Sequence, residues 1–161
     1  MSMPFAALPF IVIYCIFTGL LAWYDYRTGL LPDRLVCPLL WCGMLFFVVI
    51  KPQQLPSSVL GAIAGYCSLA GLYWLYKGIR HKEGLGYGDV KFFAALGAWH
   101  GWQQLPVLIT IATGSALLFV CFEAMISRSG QALKNPLRFG PFLSAAGVLI
   151  GFQTWWTTLP L

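Results

Sequence analysis

Apolar residues fall into six long runs separated by short polar stretches: Phe5–Tyr24, Leu35–Ile50, Leu55–Tyr76, Val90–Trp102, Leu105–Phe122 and Phe139–Leu161. Runs one, three, five and six come close to the ~20 residues a helix needs to cross a bilayer. The second is short and carries Pro38 near its start, where a helix tolerates proline. The fourth has about 13 residues, roughly 20 Å of helix, and hydropathy alone leaves its crossing open. Three glycine pairs (Gly61 and Gly65, Gly97 and Gly101, Gly147 and Gly151) recur four residues apart. That spacing puts each pair on one helix face and predicts close helix contacts. Trp23, Tyr24, Trp99, Trp102, Trp155 and Trp156 lie near run ends and read as interface anchors.

Charge settles what hydropathy leaves open. If all six runs cross, Arg27, Arg34, Lys77, Arg80, Lys82, Lys91, Arg128, Lys134 and Arg138 lie on one side and Lys51 alone on the other. Cytoplasmic loops are rich in lysine and arginine, so the crowded side is the cytoplasm. Without a fourth crossing, the 128–138 cluster would fall outside. The expectation is an all-α polytopic bundle of about six transmembrane helices, one domain over 1–161, in the inner membrane with both termini periplasmic. Residues 1–24 carry no charge and no A-x-A site precedes Asp25, so the first run is expected to stay as a membrane helix rather than leave as a signal peptide.

Composition adds exclusions. Of 161 residues 59% are hydrophobic and 9% charged, and mean hydropathy is +0.76, against roughly 25% charged in a soluble domain. Lipid is the expected solvent. The net charge of +5 comes from scattered residues and makes no nucleic-acid patch. Cys15, Cys37, Cys42, Cys67 and Cys121 sit in apolar runs without a C-x-x-C pair; they read as small buried hydrophobes, with neither a disulfide framework nor a metal site.

The acidic residues are Asp25, Asp33, Glu83, Asp89 and Glu123. Ionisable groups at or inside a bilayer are costly, so each needs a reason. Asp25 closes the first run and Asp89 opens the fourth, after Gly86-Tyr87-Gly88. The six-crossing topology puts both at the cytoplasmic face. Two facing carboxyls sharing one proton are the equipment of an aspartic peptidase: one activates water while the other polarises the scissile carbonyl. Gly86 and Gly88 would let the backbone leave helical geometry and let substrate approach. The blander alternatives are an N-cap role for Asp89 and an interfacial ion pair between Asp25 and Arg27. Asp33, after Pro32, reads as a turn residue or the N-cap of the second helix, and Glu123 with Arg128 as a helix end. His81 and His100 are placed on opposite faces and cannot share a site. No serine-hydrolase elbow, zincin or P-loop motif is present.

Asp25-Tyr-Arg-Thr-Gly-Leu-Leu31-Pro32-Asp33 and Gly86-Tyr87-Gly88-Asp89-Val90-Lys91 together resemble the two signatures of the type IV prepilin peptidases, the GxGD membrane aspartic proteases. The likeness continues through His81–Leu85 and Phe92–Trp102. The resemblance implies Asp25 and Asp89 as the catalytic pair, with Gly86 and Gly88 shaping the active turn. It implies an active-loop or substrate role for Lys91, Glu83 and Asp33, and no cofactor. The implied substrates are prepilins or pseudopilins, cut on the cytoplasmic side between a basic leader and a hydrophobic helix. The larger enzymes carry an upstream cytoplasmic domain with paired C-x-x-C motifs, associated with N-methylation. This sequence has no such motifs and resembles the peptidase core. A small transporter or proton relay using Asp25 and Asp89, and a non-catalytic prepilin binder, stay open beside this reading.

Overall fold

The structure is a computed structural model that describes residues 3–80, 86–127 and 138–158. Among them are six helices and no strand: α1 (Met3–Thr28), α2 (Asp33–Ile50), α3 (Leu55–Arg80), α4 (Tyr87–His100), α5 (Leu105–Ser127) and α6 (Gly140–Thr158), with short 3-10 turns at Pro52–Gln54 and Trp102–Gln104. Each apolar run therefore forms a helix. Turn chemistry sets the ends. α1 stops at Gly29, whose φ of 67° is the left-handed conformation that glycine adopts freely. α4 stops at Gly101, whose φ of 76° and ψ of 166° form an extended conformation essentially reserved for glycine. α2 stops at Lys51, just before Pro52, since a residue preceding proline is disfavoured from helix. α3, α5 and α6 each carry proline second (Pro56, Pro106, Pro141), where no intrahelical N–H is needed.

Among the described residues, α1, α2, α3 and α5 are long and apolar enough to cross a membrane. The bundle is built around the shortest helix. Val90 and the stretch Phe92–Trp99 of α4 are buried, with α3, α2 and α6 packed around it; α1 bridges α2 and α6, and α5 lies on α6. The glycine faces make this closeness possible. A Cβ on Gly61 or Gly97 would run into the other's backbone, and one on Gly65 would lie 3.0 Å from the Phe93 carbonyl oxygen. Such contacts are what hold helices together where lipid is as apolar as the core.

Several buried polar groups are paired across helices. The Tyr14 hydroxyl meets His100 Nε2 at 3.0 Å, Ser58 Oγ donates to the Ala98 carbonyl at 2.6 Å, and Ser144 Oγ donates to the Thr18 carbonyl at 3.1 Å. These bonds tie α1 to α4, α3 to α4 and α6 to α1.

Two sequence expectations need correcting. Trp99 is not an interface anchor: it is 2% exposed, stacked on Phe46, and its indole N–H donates to the Leu39 carbonyl at 2.8 Å. A central helix this short places its last turn inside the bundle, and Trp155 half-buried beside it joins the same aromatic group. The cysteines are not buried either. Cys15, Cys37, Cys67 and Cys121 face outward and Cys42 is half-buried. They share the outer surface with Leu118, Phe122 and Phe152, because a bundle in lipid can turn apolar side chains outward as well as inward.

Candidate active site

Asp25 stands one turn before the end of α1. The first apolar run stops at Tyr24, yet the helix continues to Thr28, where Thr28 Oγ1 donates back to the Tyr24 carbonyl and the Gly29 N–H to the Asp25 carbonyl. The carboxyl thus projects from a formed helix. Asp89 lies in the first turn of α4, three residues after the Gly86 N-cap, and its side chain makes no capping bond. Both are buried, at 5% and 7% exposure, and the charge on Asp25 acts on Asp89. The structure therefore brings the two sequence-distant carboxyls together at one end of the bundle. Neither blander alternative describes them, since Arg27 lies over the Trp23 ring, 4.6 Å from its centroid.

Three contacts assemble this end. The linker between α1 and α2 lies on the start of α4: a Cβ on Gly88 would stand 2.9 Å from the Leu31 Cβ. Asp33, the first residue of α2, pairs with Lys91 of α4 at 2.7 Å and 2.9 Å. Gly140, the first residue of α6, donates its N–H to Asp25 Oδ2 at 2.9 Å.

These contacts revise several expectations. Asp33 is no N-cap; that position is Pro32, which has no side-chain cap bond, and the Asp33 carboxylate is used by Lys91 instead. Gly86 does not need conformational freedom, because its φ of −66° and ψ of 130° suit any residue. Gly88 is inside the helix. Both positions are small for reasons of space, Gly88 under Leu31 and Gly86 with a would-be Cβ 3.1 Å from Asp89 Oδ2. Glu83 lies outside the described residues, as do His81 and Arg128. His100 is far from the pair in α4 and bonded to Tyr14. Among the described residues no group of His, Cys, Asp and Glu could hold a metal ion.

Gly140 and Arg138 were not found from sequence. Arg138 acts electrostatically on Asp25 and lies 5.9 Å from the Tyr26 ring centroid. The available signal was Arg-Phe-Gly-Pro opening the last apolar run, which predicts a helix start but not what that start faces.

The chemistry of the pair is legible from its partners. Asp25 Oδ2 has an amide donor, whereas Asp89 Oδ1 is buried with no hydrogen-bond partner among the described residues. A buried acceptor without a donor is costly. One proton held between the two carboxyls would supply that oxygen's partner, the state a general acid–base pair requires.

The sequence profile of the type IV leader peptidase family matches residues 12–121, a span that includes Asp25 and Asp89. The chain belongs to this family. It is 51% identical over 149 residues to the leader peptidase HopD of Escherichia coli, covering 92% of this chain and 96% of that protein. It is 50% identical over 152 residues to the protein of that name from Salmonella typhimurium. It is 42% identical over 144 residues to the prepilin leader peptidase/N-methyltransferase of Dickeya chrysanthemi, covering 89% of this chain but 50% of that longer protein. No solved structure matches.

Proposed function

We propose that the chain is an aspartic endopeptidase that removes the basic leader of type IV prepilins or pseudopilins, with Asp25 and Asp89 as its catalytic pair. The observation that carries the reading is the burial of these two carboxyls together at one end of a bundle whose family is that of the leader peptidases. Family membership favours peptidase chemistry over transport. In the reaction one ionised carboxyl takes a proton from water as the water oxygen attacks the scissile carbonyl carbon. The protonated partner gives its proton to the carbonyl oxygen. Collapse of the resulting gem-diol breaks the C–N bond: one of its hydroxyls returns a proton to the ionised carboxyl while the leaving nitrogen takes the proton of the other carboxyl, so the pair again holds one shared proton.

The direct test is incubation of the purified chain with membrane-embedded prepilin and intact-mass analysis of the product. A product shortened at the junction between leader and hydrophobic helix is expected. Its new amine is expected to stay unmethylated with S-adenosylmethionine present, in keeping with a relative named for leader cleavage alone and spanned to 96%. Binding without a cleaved product would overturn the peptidase reading. A donor-dependent gain of one methyl group would overturn the peptidase-only part.

The proposed topology has six crossings, both termini periplasmic and the carboxyl pair at the cytoplasmic face of the inner membrane. Support comes from the charge asymmetry and from the α3–α4 and α5–α6 pairs, whose packing suits antiparallel neighbours. A cysteine at Ser57, beside the start of α3, is expected to react with an impermeant thiol reagent from outside intact spheroplasts, and one at Ser129 only after lysis. The native cysteines are first replaced by alanine. Outside labelling at Ser129 would remove the fourth crossing.

A further inference from the structure

A helix begins with backbone N–H groups that have no partner within the helix. In α6 the Leu143 and Phe142 N–H groups fold back to the Phe139 carbonyl, and Pro141 has no N–H to place. Of the N–H groups from position 140 to 143, that of Gly140 is the one left over, and it donates to Asp25 Oδ2 across 115 residues of sequence. The fit is close. A Cβ at position 140 would lie 2.6 Å from Asp25 Oδ2, 2.8 Å from its Cγ and 2.9 Å from its Cβ. The backbone here can approach the carboxyl only because it carries no side chain. An anion at a helix N-terminus is also favoured by the helix dipole.

We propose that the amino terminus of α6 is a working part of the catalytic site, with Gly140 the positioning residue that holds Asp25 in register with Asp89. The proposal rests on the reading of these two as the catalytic pair. It divides the labour between their oxygens: Asp25 Oδ2 is committed to the amide, leaving Asp25 Oδ1 and the Asp89 carboxyl to share the proton and handle water and substrate. A shift of about 1 Å in such a group costs on the order of a hundredfold in rate. Since Gly140 touches the carboxyl from the side, its loss falls on kcat rather than on substrate binding.

Gly140→Ala is expected to lower kcat about a hundredfold with KM held within roughly threefold. Gly147→Ala is the matched control. It is on the same helix, and its Cβ would be equally crowded, 2.6 Å from the Tyr14 hydroxyl, but away from the pair. It is expected to reduce stability while the folded fraction keeps kcat within about threefold. A Gly140→Ala protein with near-normal kcat, or an equal kcat loss in Gly147→Ala, would overturn the proposal.

A second measurement leaves Gly140 in place and stands even where Gly140→Ala fails to fold. Phe139-Gly140 is the only Phe-Gly step in the sequence. Carbonyl-13C phenylalanine with 15N glycine therefore isolates one amide resonance in the full chain in micelles. That resonance is expected to move upfield in Asp25→Ala and to move less in Asp89→Ala. No response to Asp25→Ala, or an equal response to both, would overturn the positioning role. Cleavage surviving both Asp25→Asn and Asp89→Asn would instead overturn the catalytic pair, whatever the resonance does.

Discussion

Asp25→Asn and Asp89→Asn are each expected to abolish prepilin cleavage, while the protein still inserts and folds. Asparagine keeps the size of each side chain and an acceptor oxygen, so the Gly140 N–H retains a partner and the packing around both positions is preserved. What goes is the ability to gain and lose a proton. General acid–base groups contribute about 10²–10⁴ in rate each, and members of one catalytic unit are not additive. Either single change should therefore cost on the order of 10⁴, and the double change little more. Asp33→Asn is the contrasting case. Its ion pair with Lys91 is a surface pair, with the side chains 34% (Lys91) and 59% (Asp33) exposed. Such pairs contribute about 0–1 kcal/mol, and the asparagine oxygen can still accept from the ammonium. Substantial activity is expected to remain, measured as initial cleavage rate per folded molecule. A dead Asp33→Asn beside an active Asp25→Asn would reassign the first carboxyl.

The helices and the end of the bundle that holds the carboxyls were legible in the sequence because lipid enforces a simple grammar. Backbone groups must be satisfied within each segment, so every apolar run becomes a helix. Charges were a poorer guide to helix ends. α1 runs through Asp25 and Arg27 to Gly29, and α3 through Lys77 to Arg80, because helix ends follow caps and turns rather than hydropathy. Which polar group meets which was the part sequence withheld. Asp33 looked locally like a cap and is engaged by Lys91, 58 residues away. Gly140 looked like the start of a helix and reaches Asp25. Trp99 looked like an anchor because run ends resemble membrane interfaces, but the short α4 ends inside the protein. Each of these is a tertiary pairing, and local pattern contains no term for it.

The glycines of α3 and α4 carry the other large effect, on assembly of the site rather than its chemistry. Gly97→Ala is expected to destabilise the folded bundle by about 3 kcal/mol or more, at the upper end of overpacking costs. The new methyl would meet the Gly61 carbonyl, with its carbon at 2.6 Å and the Ala62 nitrogen at 3.3 Å. These are backbone atoms, which cannot rotate aside as a side chain would, so α3 and α4 must separate. In lipid little resists that separation once close contact is lost. The Ser58–Ala98 bond across the same contact would lengthen with it. α4 also carries Asp89 eight residues earlier, about 12 Å along the helix, so a displaced α4 moves one carboxyl relative to the other. Cleavage should therefore fall along with thermal stability in detergent. Gly71→Ala on α3 supplies the comparison, since nothing lies within 4 Å of a Cβ there. That change is expected to be neutral or slightly stabilising, because alanine favours helix over glycine by about 1 kcal/mol. If Gly97→Ala melts with Gly71→Ala rather than well below it, the close α3–α4 contact is not what holds α4 in place.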